Sequence, residues 1–274
     1  MRGIIDAHIH LSERKDDALI PYARKNGLRY NLSELLDLME GNSISHGYLL
    51  SPPLDDGSPL PNEDVLRLCA KSGDVLAPIF TVEPEPQKVE AALVLARKNR
   101  GTVAGFKIRL GYVQVYASDP LFTPLYDFAE EQSLPVLYHT GDTARSNGSL
   151  VASHPLTLDA VANGRPELKM VACHFGNPWI HDVGELIYKH ANVYADVSGL
   201  VVGGSKYSDR YVDWLTKSIG QAIHYSDGGN KVLFGTDYPV MTYMAGLKLV
   251  EGLDVDSTDR SKIFSGNHRR VFPS

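Results

Sequence analysis

Eight short apolar runs, separated by longer amphipathic stretches, set the main constraint on what this chain can fold into. They cover residues 3–9, 46–51, 75–81, 103–109, 134–139, 168–174, 192–198 and 231–236. Several, such as VLAPIFT and KMVACHF, are nearly continuous in apolar or small residues, which is the pattern of strands covered on both faces. Between them, VEAALVLARKN and PLYDFAEEQS repeat apolar residues at helical spacing. NEDVLRLCAKSG and PQKVEAAL begin with the polar residues or proline that start helices. Strand alternating with helix implies parallel pairing. No Gly/Ser-rich linker or short internal repeat divides the units, and the 274 residues come close to the ~250 usual for an α/β barrel. The expected fold class is therefore α/β, a single (β/α)8 TIM barrel with parallel strands, forming one domain over residues 1–274. An open doubly wound sheet is the alternative if only six or seven of the runs are strands.

Composition narrows the partners. Hydrophobic residues make up 43% and charged residues 22%, which allows a well-buried core. The 27 basic and 33 acidic residues leave a net charge of -6. With no basic stripe, nucleic acid is not an expected partner. Cys69 and Cys173 stand far apart with no paired framework, so they read as thiols of a reducing compartment, and a cytoplasmic location is expected. No apolar run approaches the ~20 residues of a membrane-spanning helix, and GIIDAHIH already reads as a strand from residue 3, with no signal peptide before it. The expected partner is a small-molecule substrate, with no membrane, and a homo-oligomer is left open.

The chemistry collects at strand ends. His8 and His10 close the first run, His139 the fifth and His174 the sixth, and Asp237 follows the eighth. In a barrel those ends share one face. Residues two apart on a strand point the same way, so His8 and His10 can be aimed at one point. Imidazoles with one carboxylate make a borderline-soft site suited to zinc, with less preference for manganese, iron or cobalt. Taken singly, each of these residues has a blander use as a polar cap. Four of ten histidines and an aspartate at strand ends of one polarity are harder to assign to caps alone.

The segments DAHIH, GFKI, LPVLYHTGD, CHFGNPW, VYADVSG, FGTDYP and GNHRRVF resemble, in that order and over nearly the whole chain, the amidohydrolase-related branch of the amidohydrolase superfamily. That branch is similar to the family of aminocarboxymuconate-semialdehyde decarboxylase. The resemblance implies that His8, His10, His139 and Asp237 bind metal and that His174 lies beside the metal-activated water. It also implies that Asp237 serves as base while His174 orients the substrate or shares the proton, which makes His174 and Asp237 the expected catalytic pair. One divalent metal per chain is expected, zinc before others. In binuclear relatives a strand-four lysine is carboxylated and bridges two metals. For Lys107 the favoured use is instead a cation contacting an anionic substrate or a neighbouring carboxylate. Arg109, two residues on, reads equally as a carboxylate clamp or as a surface charge.

The leading functional expectation is a metal-dependent hydrolase that uses activated water on an ester, lactone or amide bond of a small anionic substrate. The alternatives are metal-dependent, non-oxidative decarboxylation of an unsaturated or aromatic carboxylic acid, and a catalytically inactive metal-binding protein. The remaining candidates have structural expectations. His46 is expected to pack or cap, and His154 to enter a helix. His181, His190 and His224 are expected on helix surfaces, and His268 on a C-terminal helix packed against the barrel. Asp196 and Ser198 are expected to make a structural hydrogen bond at the end of strand seven, and Cys173 to be a buried thiol pointing away from His174. Residues 11–31 fit no regular period and are expected to form a mobile cover over the metal end, where Arg14, Lys15, Tyr22, Arg24 and Lys25 meet the substrate on closure.

Overall fold

A computed structural model of the protein describes residues 3–202, 209–226 and 229–273. Its eight strands are β1 (Ile4–His10), β2 (Ile44–Leu50), β3 (Leu76–Thr81), β4 (Gly105–Ile108), β5 (Val136–Tyr138), β6 (Met170–Ala172), β7 (Val193–Asp196) and β8 (Val232–Leu233). They pair in sequence order, every pair parallel. Backbone bonds from Ala7 N to Phe234 O (2.9 Å) and from Asp237 N to His8 O (2.7 Å) join the last strand to the first. The sheet is thus a (β/α)8 barrel. Helices between the strands bury their apolar stripes on its outside, as Val89, Ala92, Leu93 and Ala96 do in the helix Pro86–Lys98.

Two apolar cores follow from the two faces of the strands. The larger packs outward-facing side chains such as Phe80, Phe106, Tyr138 and Met170 against the helices. The smaller fills the barrel with Ala7, Tyr48, Ile79, Leu137, Val171 and Leu233, and takes in Val271 and Phe272 from the C-terminal segment. Phe272 stacks on Tyr48 with ring centroids 3.7 Å apart, so one side of this core is closed by apolar packing. The other end of the barrel is left for chemistry.

Two local expectations are corrected. His190 is buried rather than on a helix surface, because its Nε2 lies 2.8 Å from Asp159 Oδ1 at the end of the helix Ile180–Lys189. Residues 11–31 are not without regular structure. They include the helix Ile20–Lys25 and are tied down by buried Asp17, which accepts from Ser12 Oγ (2.5 Å), Leu19 N (2.8 Å) and Tyr30 Oη (2.9 Å). His268 is buried on a short C-terminal helix, with Nε2 3.2 Å from Phe234 O, as its segment implied. Among the described residues no helix is long and apolar enough to cross a membrane.

Candidate metal centre and active site

The site begins with an irregularity in β1. Asp6 pairs with Gly47 and Ile9 with Leu49, so β1 spends one more residue than β2 over the same span. A bulge of this kind re-aims side chains. Ile5 and Ala7 pack with the inner core, whereas His8 and His10 line a cavity of about 750 Å³ at the end of the barrel. The buried Asp6 carboxylate secures the bulge by accepting from His8 N (2.9 Å), Thr236 N (3.0 Å) and Thr236 Oγ1 (2.6 Å).

Hydrogen bonds then fix both rings. His10 Nδ1 lies 3.0 Å from Leu50 O, and a carbonyl only accepts, so Nδ1 carries the proton. His8 Nδ1 lies 3.1 Å from Asp196 Oδ2. Each ring is left with its lone pair on Nε2, and both lone pairs face Asp237 Oδ1, at 3.1 Å from His10 and 3.5 Å from His8. Burial, followed by the nearby Lys107 ammonium, pulls His8 down to about 3, which keeps its imidazole neutral. Burial acts against the Asp237 carboxylate, but close contact with His10 and the nearness of His8 and His174 outweigh it and hold Asp237 ionised. Two lone pairs and a carboxylate facing one another need a positive charge among them. Neutral imidazoles with oriented second nitrogens and one carboxylate are the donor chemistry of a divalent metal.

His139 sits farther around the barrel, and the structure does not bring it into the His8, His10 and Asp237 group. Its Nε2 lies 2.9 Å from Asp142 O, so that nitrogen is the protonated one and Nδ1 is the atom left to ligate. Its ring meets those of His174 (4.8 Å between centroids) and Tyr112 (4.7 Å). Burial and neighbouring His174 hold it well below the usual histidine range.

His174 lies just beyond β6 in a tight turn, with φ 61° and Phe175 at φ 46°. Asp237 has φ 58°. Both expected catalytic residues therefore occupy the left-handed region, which non-glycine residues adopt at a cost and mostly where surrounding contacts impose it. For His174 those contacts are its backbone N donating to Asp196 Oδ1 (2.9 Å) and Nδ1 lying 3.1 Å from Ser198 O. The carbonyl makes Nδ1 the donor, so Nε2 is the nitrogen able to take a proton.

Asp196 was expected to serve structure, and its position shows how much depends on it. Besides His8 and His174 N, it accepts from Ser198 N (3.0 Å) and Ser198 Oγ (2.5 Å). His8, His174 and Asp196 also stand close enough together to hold a cation. Because the oxygens of Asp196 are already taken by these bonds, it is better described as the carboxylate that orients the histidines than as a ligand. The signal for it in the sequence was the strand-end aspartate followed two residues later by serine.

Lys107 and Arg109 both line the cavity. Lys107 is buried, and Nζ donates to Cys173 Sγ at 2.9 Å. Cys173 is therefore a buried thiol, as expected, but it is also the floor on which the lysine rests. Arg109 is half-buried and donates Nη2 to Gly57 O at 3.0 Å, so it is not a surface charge. Leu19 and Tyr22 from the segment after β1 complete one side of the cavity.

Gly199 shows how tightly the site is built. At φ 65°, a Cβ there would lie 2.7 Å from Asp237 Oδ2 and 3.1 Å from His174 Nδ1. Gly199→Ala is expected to lose about 1–2 kcal/mol of stability from the left-handed backbone alone and to displace Asp237. Denaturant unfolding together with metal titration checks this, and wild-type values of both would show that the site yields more than its geometry implies.

A family model described as Amidohydrolase matches residues 5–274. No curated protein gives a match. Solved structures share the fold at low identity. One is an amidohydrolase from Burkholderia multivorans with bound zinc, 18% identical, with 97% of this chain and 98% of that one covered and a TM-score of 0.70. A second is 2,6-dihydroxybenzoate decarboxylase from Rhizobium, at 18% identity, 98% coverage of both chains and a TM-score of 0.67. A third is a probable 2-pyrone-4,6-dicarboxylic acid hydrolase from Acinetobacter baumannii with citric acid bound, at 18% identity, 99% coverage of both chains and a TM-score of 0.68.

Proposed function

We propose, from the premise that this chain belongs to the amidohydrolase family, that it is a metal-dependent hydrolase of an ester, lactone or amide bond in a small anionic substrate. The observation that carries this is the pair of Nε2 lone pairs of His8 and His10 facing the ionised Asp237 carboxylate inside a substrate-sized cavity. His8, His10 and Asp237 would hold the metal, joined by His139 through Nδ1. Zinc suits this donor set best, and the zinc in the Burkholderia amidohydrolase is in keeping with it. A divalent ion in such a site brings the pKa of water to about 7 and polarises a carbonyl.

The remaining roles belong to the chain's own groups. Asp237 Oδ2 and His174 Nε2 are the atoms that take the proton from attacking water and return it to the leaving group. Asp196 and the Leu50 carbonyl keep the rings of His8 and His10 in the ligating tautomer. Lys107, a strong donor resting on a thiol that is only a weak acceptor, is left to meet a substrate oxygen, and Arg109 meets an anionic group. The same donor set serves decarboxylation, and similarity to a decarboxylase structure keeps that second reading in view.

The deciding experiment is a screen of metal-reconstituted protein against lactones and against unsaturated and aromatic carboxylic acids, recording acid release and carbon dioxide together. We expect acid release without carbon dioxide and close to one equivalent of metal per chain by elemental analysis. Carbon dioxide release would replace hydrolysis with decarboxylation, and two equivalents would assign Lys107 to a bridge between metals.

A further inference from the structure

Outside the metal cluster, the cavity holds two arginines that differ from the ion-paired ones. Arg14, Arg29, Arg67, Arg97, Arg100 and Arg165 each hold a carboxylate within 4.0 Å. Arg109 and Arg145 line the cavity, and neither forms an ion pair among the described residues. They are nonetheless brought together on one residue. Arg109 Nη2 donates to Gly57 O, while Arg145 packs so closely on Gly57 that a Cβ there would lie 3.0 Å from Nη2 and 3.1 Å from Cζ. Gly57 also has φ 90°, so both its backbone and the space it leaves favour glycine. Burial holds the Arg109 guanidinium below its ordinary range, with the Glu83 carboxylate opposing and neighbouring Arg145 adding to the shift. Glu83 lines the same cavity, but its carboxylate is engaged by Lys88 at 3.3 Å.

Topology places this pair across from His8, His10 and Asp237, with His139 on its own side of the barrel. Arg109 follows β4 and Arg145 follows β5, whereas His8 and His10 end β1 and Asp237 follows β8. In a closed ring of eight strands β4 stands opposite β8, and β5 opposite β1. Two guanidiniums that make no ion pair among the described residues, one of them near Glu83, offer on the far wall of the cavity the planar donor geometry that carboxylates accept.

We propose that Arg109 and Arg145 form a carboxylate subsite, seated on Gly57, that holds the substrate by a charged group remote from the bond that reacts. This rests on the proposed hydrolase and defines its substrate class: a molecule with a carboxylate at one end and the reacting carbonyl at the other, spanning the cavity from the β4–β5 wall to the β8–β1 wall.

The test uses isophthalate, its dimethyl ester and phenyl phosphate as probes, titrated calorimetrically into the full-length protein in metal-loaded and chelator-treated forms. Isophthalate is expected to bind more tightly than the diester in both forms. Arg145→Ala should weaken isophthalate binding by on the order of 10- to 100-fold and leave the diester unchanged. Arg145→Lys should fall between, because it keeps the charge and loses the fork. Arg145 is exposed, so its truncation leaves the core intact, and an unchanged unfolding midpoint confirms this. Wild-type isophthalate affinity in Arg145→Ala, or equal affinity for isophthalate and the diester, overturns the subsite. Tighter, Arg145-dependent binding of phenyl phosphate than of isophthalate overturns its assignment to carboxylates. Failure of the metal reading shows separately, as no difference between metal-loaded and chelator-treated protein while the dependence on Arg145 persists.

Discussion

Asp237→Asn should lose its metal and its turnover together while folding at least as well as the wild type. The amide keeps the shape of the carboxylate, so what changes is charge and the capacity to accept a proton. In the wild type, Oδ1 faces the Nε2 lone pairs of His10 at 3.1 Å and His8 at 3.5 Å, an arrangement that needs a cation. An asparagine NH2 can turn toward those lone pairs and donate to them, removing the need. Backbone strain changes in the opposite direction, since φ at this position is 58° and asparagine adopts the left-handed region more readily than most residues. The expected result is a large fall in metal content, a fall in kcat of ~10²–10⁴ or more from loss of the proton acceptor, and an unfolding midpoint no lower than that of metal-free wild type. Elemental analysis, steady-state kinetics on the substrate found by the screen, and denaturation of the metal-free proteins measure the three quantities. A variant that keeps a full equivalent of metal would remove Asp237 from the ligand set.

Much of this architecture could be read from residue order, for a physical reason. Strands buried on both faces must be nearly continuous in apolar residues, so the eight runs mark the eight strands to within a few residues of β1 to β8. Polar groups at strand ends, His8, His10, His139, His174 and Asp237, stood out because the runs around them are apolar. What could not be read depends on contacts between distant segments. The extra residue in β1 exists only relative to β2. The burial of His190 depends on Asp159, 31 residues away. Asp196 looked like an ordinary strand-end carboxylate because its partner His8 is 188 residues distant. Arg145 lies in a loop with no period to mark it, and its neighbour Gly57 precedes it by 88 positions. The left-handed backbone of His174 follows no residue preference strong enough to find. It persists because Asp196 and Ser198 hold both its main chain and its ring.

That double hold makes His174 the residue whose removal best separates catalysis from metal binding. Its ring is within 5.0 Å of the His8 ring and 4.8 Å of the His139 ring, centroid to centroid. Its Nδ1, however, is turned to Ser198, and the histidines whose lone pairs face Asp237 Oδ1 are His8 and His10. Burial keeps the imidazole below its ordinary range and so neutral at pH 7, with Nε2 ready to accept a proton. His174→Ala removes that acceptor and leaves His8, His10, His139 and Asp237 in place. Metal content should stay near the wild-type value while kcat falls by ~10²–10⁴, and free imidazole added at millimolar concentration should restore part of the lost rate. A structural role would give a different pattern, in which the unfolding midpoint drops and imidazole restores nothing. Loss of metal in His174→Ala would move this histidine into the ligand set, and full activity with full metal would leave Asp237 alone to carry the proton.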